Sequence, residues 1–250
     1  MPQMVEGAGV ELAYQERGSG PTVVLVHGIG DSGAGWQTVA AVLEPHARVV
    51  TYDRRGYGDS GAPEPYEATT VQEQTEDLAA LIAAVGGAPV TVCGRDVGAL
   101  VCLDLARRHR ALVAGAVLVD PPVFAFVEQA TEALSGERLR LEEGLRDGGP
   151  AAAVEAHLQA AGYDAERCAR GRSAHAAFFA DYAGLATLEL GRRDLRDITV
   201  GVRILSTTRA APHERAAAAV LDGLMPEAVL ARESDDIAGA VLGLLGQAPD

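Results

Sequence analysis

The apolar, β-branched run Pro89-Val90-Thr91-Val92-Cys93 leads directly into Gly94-Arg95-Asp96-Val97-Gly98, and then into the helix-forming stretch Ala99-Leu100-Val101-Cys102-Leu103-Asp104-Leu105-Ala106. A strand that turns into a helix across one tight corner, with glycine at both ends of it, holds its central side chain on strained backbone that larger neighbours would crowd. A buried strand of this kind needs helices packed on its sheet, which restricts the chain to a layered α/β architecture. The central residue of the corner is Asp96, and its chemistry limits what the site can do.

Elsewhere, short apolar runs alternate with amphipathic segments, the pattern of a mainly parallel sheet flanked by helices. Strands are predicted near 10–15, 22–27, 49–53, 89–93, 115–119, 201–205 and 228–231, and helices near 36–43, 71–85, 97–109, 213–224 and 235–245. Residues 121–198 interrupt the alternation with helical, charge-rich sequence at 128–143 and 151–161, too long for a loop between two strands. That segment is predicted to be a helical cap over the strand ends, where open α/β sheets bind ligands, with Gly148-Gly149-Pro150 and Gly162 as turns. The expected organisation is a core of 1–120 and 199–250 with a cap of 121–198, and 250 residues are enough for one such domain.

A net charge of -14 argues against nucleic acid or an anionic membrane as partner. All the basic residues are arginine, which removes lysine Schiff-base chemistry. Cys93, Cys102 and Cys168 have no C-x-x-C spacing, so neither a disulfide framework nor a metal site is expected, and Cys93 and Cys102 read as core residues. His27-Gly28-Ile29-Gly30 lacks the third glycine of a dinucleotide fingerprint, and no cofactor is expected. With no membrane-length apolar stretch, and neither a basic start nor an apolar run at Met1-Pro2-Gln3-Met4, the expected compartment is the cytoplasm. The expected partner is a small-molecule substrate or ligand; nothing in the sequence sets an oligomeric state.

Val23-Val24-Leu25-Val26-His27-Gly28-Ile29-Gly30 followed by Trp36, then Tyr52-Asp53-Arg54-Arg55-Gly56-Tyr57-Gly58-Asp59-Ser60, then the Asp96 corner, resemble in this order the α/β-hydrolase superfamily over nearly the whole chain. The resemblance makes the corner a G-x-S-x-G nucleophile elbow with aspartate in place of serine. It also implies an oxyanion hole formed by the backbone amides of Ile29 and Val97. The family's acid usually follows the penultimate strand, but here Ile204-Leu205 is followed by Ser206-Thr207-Thr208-Arg209-Ala210-Ala211-Pro212, without a carboxylate. Its histidine usually follows the last strand, but here Leu230-Ala231 is followed by Arg232-Glu233-Ser234-Asp235-Asp236, and no histidine comes after His213. Asp120 occupies a position that supplies the acid in some relatives, although a structural strand-end turn is the commoner use of such a residue.

Relatives with aspartate at the elbow include haloalkane dehalogenases and epoxide hydrolases, in which the carboxylate attacks carbon and a histidine-activated water hydrolyses the ester. Val97 stands where a tryptophan commonly follows the aspartate in those relatives, which weakens the dehalogenase reading. A relocated base would have to come from His213 or His175; His46, His109 and His157 carry no specific signal, and His27 is usually structural. Asp96 has a second use in proton transfer, as general acid or base of a lyase or cyclase, with Arg95 opposing an upward pKa shift if its guanidinium reaches the carboxylate and strand alternation does not turn it away. A third reading is a small-ligand-binding protein without catalysis. The expectation is an atypical enzyme centred on Asp96 and not a Ser-His-Asp esterase. It acts on a small, mostly apolar, oxygen-bearing molecule in a pocket drawn from Gly28, Trp36, Phe124, Phe178, Phe179 and Tyr182.

Overall fold

The computed structural model describes residues 2–246. Among them, eight strands form one sheet: β1 (Gln3–Glu6), β2 (Glu11–Arg17), β3 (Thr22–Val26), β4 (Arg48–Tyr52), β5 (Val90–Arg95), β6 (Val113–Val119), β7 (Gly201–Ser206) and β8 (Ala228–Arg232). The helices of the flanking layers are α1 (Gln37–Leu43), α2 (Val71–Val85) and α3 (Val97–Arg108). Between β6 and β7 run α4 (Ala130–Ala160), α5 (Ala165–Ser173), α6 (His175–Gly184) and α7 (Arg192–Arg196), and α8 (Pro212–Leu224) and α9 (Ile237–Leu244) complete the set.

Strand order is β1-β2-β4-β3-β5-β6-β7-β8, with β1/β2 and β2/β4 antiparallel and every other pair parallel. A parallel strand covered on both faces loses the alternation of a half-exposed one, and all five residues of β3 are buried. On one face Val24, Val50 and Val92 pack against Leu78, Leu81, Leu100 and Leu221 of the helices; on the other, Val23, Leu25 and Val49 meet Leu43, Val241 and Leu242. β1 was not among the predicted strands. It is an edge strand of mostly exposed residues, paired only with β2, and so carries no periodic signal.

From β3 the chain moves outward to β4 and then returns to β5 on the other flank. The ends of β3 and β5 therefore form the point where strand order reverses, the usual ligand crevice of such a sheet. The inserted helices lie over this point through one apolar cluster, in which Ile29 and Val97 pack with Leu141, Val154, Leu158, Cys168 and Phe178. α4 is broken at Gly149 (φ 76°, ψ 178°), just before Pro150, and its two arms fold back so that Gly144 lies against Ala153.

A buried polar hub ties the insertion to the sheet. The Arg54 guanidinium donates to both oxygens of Asp181 on α6 (3.1 and 2.7 Å), to the carbonyls of His27 and Gly28 (2.9 and 3.0 Å), and to Gln74. Tyr57 and Gln74 also donate to Asp181 (2.6 and 2.7 Å), and the Arg54 amide donates to His27 Nε2 (2.9 Å). Removing one partner strands a buried charge, which costs about 3–5 kcal/mol. Asp181→Ala should lose stability on that scale in urea denaturation, and a loss below about 1 kcal/mol would contradict this account of the hub.

Candidate active site

β5 delivers Asp96 to the reversal point, and the glycines around it allow the corner to close. A Cβ on Gly94 would overlap the Gly98 carbonyl, and one on Gly98 would overlap the carbonyl of Val26. Asp96 itself has φ 54° and ψ -124°, a conformation that costs a non-glycine residue about 1–3 kcal/mol and recurs at functional sites. Its amide donates to Val119 on β6 (2.9 Å), so the corner is anchored to the neighbouring strand.

The carboxylate is not free of the turn at His27-Gly28-Ile29-Gly30. The Ile29 N–H donates to Asp96 Oδ2 at 3.1 Å, so one of the two donors assigned to an oxyanion hole already holds an oxygen of Asp96. The other, Val97, is the first residue of α3, where a helix leaves its N–H groups unpaired by its own carbonyls. Gly28 permits the approach, because a Cβ there would lie 3.0 Å from Asp96 Cβ and 3.2 Å from Arg167 Nη2.

Arg167, on α5, is a site residue that the sequence did not point to. Its Nη2 donates to the Ile29 carbonyl (2.9 Å) and lies 3.8 Å from Asp96 Oδ2, while its guanidinium stacks on the Tyr163 ring at 3.5 Å. Asp31, just past the same turn, accepts from Arg170 (2.8 Å) and lies 3.8 Å from Arg167 Nε. Burial pushes the Asp96 carboxyl up to about 6, against the opposing Arg167 charge and Ile29 amide. It remains mostly ionised at neutral pH, at a lasting desolvation cost.

Asp96 opens into a cleft of about 340 Å³. Ile29, Phe124, Leu134, Tyr163, Tyr182 and Leu185 supply its apolar and aromatic wall, and Arg95, Arg140, Arg209, Asp120, Glu137, Glu214, His157 and His213 its polar wall. Phe124 and Tyr182 are thus brought to Asp96, but other expected pocket residues are not. Trp36 is packed into the core under β3 and β4 with the Arg95 guanidinium over its ring (4.9 Å), and Phe178 is fully buried between Phe179 and Tyr182. Phe179 belongs to the same packing layer behind the cleft wall.

Of the auxiliary candidates, His213 lines the cleft, its ring tilted against Phe124 (5.2 Å) and its Nε2 3.8 Å from Glu137. His175 sits at the start of α6 with Nδ1 against the Arg172 carbonyl (3.1 Å), outside the cleft. Arg95 lines the cleft, with burial and the Arg167 charge lowering its pKa. His157, given no role by the sequence, lies in the cleft wall edge-on to Phe178; burial, with the Arg140 and Arg167 charges, brings it down to about 4.

Asp120 is engaged, with Oδ1 accepting from the Thr207 amide (2.9 Å) and Oδ2 from its hydroxyl (2.7 Å). Asp235, after β8, makes the same pair of bonds to Thr208 (3.2 and 2.6 Å). The loops after β6, β7 and β8 are therefore stitched together by threonine–aspartate pairs. Among the described residues, no group of three or more His, Cys, Asp or Glu is arranged to hold a metal ion.

The sequence matches the family described as alpha/beta hydrolase fold over residues 21–145, and the protein belongs to that family. It is 40% identical over 101 residues to the uncharacterized hydrolase YraK of Bacillus subtilis (strain 168); the match covers 40% of this chain and 37% of that protein, so just over a third of the relative is spanned. The fold is similar to the crystal structure of an alpha/beta hydrolase from Sphaerobacter thermophilus DSM 20745, with TM-score 0.74 and 27% identity over 97% of this chain and 98% of that one. The epoxide hydrolase VrEH1 of Vigna radiata shares the fold at TM-score 0.74, with 18% identity over 98% of this chain and 97% of that one.

A carboxyl that titrates higher in the folded protein than in the unfolded chain destabilises the fold increasingly as pH rises through the interval between the two values. Asp96→Asn removes that cost. The variant should gain stability over the native protein on going from pH 4 to pH 8, by at most about 3 kcal/mol in paired denaturation curves. A pH-independent difference would contradict the burial of a charged Asp96.

Proposed function

We propose that this protein is an enzyme acting on a small, oxygen-bearing organic molecule, with Asp96 as the nucleophile and the inserted helices serving as a cap over the cleft. The observation that carries this reading is the Ile29 N–H bond to Asp96 Oδ2, which leaves Oδ1 as the oxygen without that donor. Attack by Oδ1 on an electrophilic carbon breaks that carbon's bond to an epoxide oxygen, which takes up a proton from solvent, or to a halide, which departs, and makes Oδ2 the carbonyl oxygen of an Asp96 ester. That oxygen then already lies on a backbone donor, and when water adds to Cγ the same amide meets the developing negative charge. One such donor contributes about 3 kcal/mol to transition-state stabilisation. A carboxyl titrating near 6 is ionised at neutral pH, as attack requires.

The same geometry disfavours ester hydrolysis by the serine route, because the loops that would carry the acid and the histidine end in the Thr207–Asp120 and Thr208–Asp235 pairs. Phe124, Leu134, Tyr163, Tyr182 and Leu185 suit a mainly apolar substrate body, and the arginines, acids and histidines of the cleft suit its polar groups. The similarity in fold to an epoxide hydrolase agrees with this chemistry without assigning it.

Turnover of terminal epoxides or alkyl halides in heavy-oxygen water should place solvent oxygen in the peptide carrying Asp96, because hydrolysis occurs at its Cγ. Acid quenching in the first turnover should trap an added substrate mass on that peptide, absent in Asp96→Asn. Activated esters should show no turnover beyond that of Asp96→Ala. Product formation with neither adduct nor label would mean proton transfer by Asp96 instead. A ligand bound tightly, recovered unchanged and held equally by Asp96→Asn would mean a binding protein.

A further inference from the structure

We infer that Glu214 is the general base that takes the proton from the attacking water, the task left open by the absence of a histidine after β8. This rests on the reading of Asp96 as nucleophile. Glu214 lies in the first turn of α8 and lines the same cleft as Asp96. The Ala211 N–H donates to its Oε2 at 2.6 Å, which caps the helix, orients the carboxylate and leaves Oε1 as the oxygen without that bond.

The alternatives in the cleft are each otherwise engaged. Both oxygens of Asp120 are held by Thr207, and Glu137 faces His213 Nε2. His157 at about 4 is too weak a base to take a proton from water near neutral pH, and His175 lies outside the cleft. His213 packs its ring on Phe124 and turns Nε2 toward α4.

Around Glu214 are the charges of Asp96 at the elbow, Asp120 at the end of β6 and Glu137 on α4, and Tyr163, Arg209 and His213 share the cleft with it. Burial pushes its carboxyl up to about 7, with those three carboxylates adding to the rise and the Ala211 amide opposing it. Two carboxyls in one cleft, near 6 and near 7, divide the work as an ionised nucleophile and a base poised at neutral pH. Esterification of Asp96 removes one neighbouring anion, which favours the ionised form of Glu214 at the stage where it is needed.

Water oxygen bonds to Asp96 Cγ, one water proton passes to Glu214, and the negative charge collects on Oδ2 at the Ile29 N–H. Collapse breaks the Cγ–Oδ1 bond, and the leaving alkoxide, which carries Oδ1 away on the substrate carbon, takes the proton back from Glu214 as the product alcohol, while the water oxygen stays in the Asp96 carboxyl. Asp96 emerges as the carboxylic acid and releases its proton to solvent.

In the full-length protein, Glu214→Gln should form the Asp96 adduct with a terminal epoxide at the native rate and hydrolyse it at least about 100-fold more slowly, so that the adduct accumulates. Glutamine retains an acceptor for the Ala211 N–H, and a cooperative melt confirms folding. Native adduct hydrolysis should rise with pH through a midpoint at or below about 7 to a plateau above it, a dependence that Glu214→Gln loses. Added formate should restore hydrolysis in Glu214→Ala, which a purely helix-capping role would not allow. Clearance of the adduct by Glu214→Gln at the native rate overturns the inference, as does arrest in His213→Asn with Glu214→Gln unaffected. Absence of any adduct in both native protein and Glu214→Gln overturns the nucleophile reading itself.

Discussion

The buried pair of Arg54 and Asp181 is the interaction on which the rest of the site depends. Arg54 grips the carbonyls of His27 and Gly28, and so sets the turn that offers the Ile29 amide; Asp181 brings α6, and with it the inserted helices, to the same guanidinium. A desolvated ion pair of this kind contributes little net stability over an apolar replacement, but it is intolerant of losing one member. Its value here is positional: the turn that carries Ile29 and the helix α6 share one anchor.

Next to that anchor the protein accepts two local costs at Asp96, left-handed backbone and a half-withdrawn charge. Arg167 reduces the second without removing it. At 3.8 Å the guanidinium is beyond hydrogen-bond range of Oδ2 and spends its direct bond on the Ile29 carbonyl. A tighter pair would hold Asp96 strongly acidic; without the cation its partly buried carboxyl would be pushed up further. The arrangement lies between those limits.

The layer architecture, the elbow and the glycines that close it were legible in the sequence because each rests on local chemistry. A continuous apolar run announces a strand buried on both faces, and a G-x-D-x-G corner has few backbone solutions. β1 was not legible, because a short exposed edge strand has no period to detect. The gathering of Asp96, Ile29 and Val97 at the reversal point was legible, because backbone dictates their placement, and what depends on contacts distant in sequence was not. Trp36, Phe178 and Phe179 are aromatic and near the motifs, yet packing claims them, since burying a large ring in the core stabilises it more than lining a wet cleft does. Arg167, His157 and Glu214 read as ordinary polar helix residues, and only the folding of α4, α5 and α8 over the elbow turns them inward.

The stitched loops carry a consequence for how this protein could change. Thr207 with Asp120 and Thr208 with Asp235 close three successive strand ends into a rigid rim, each aspartate held by both an amide and a hydroxyl. Asp96→Ser would place the elbow hydroxyl of the wider family here but leave it without a relay, since both rim aspartates are already committed to threonines. Several coordinated changes would have to precede any benefit, each loosening a well-bonded rim. Residues that never touch Asp96 thus bear on whether its replacement by serine could be of any use.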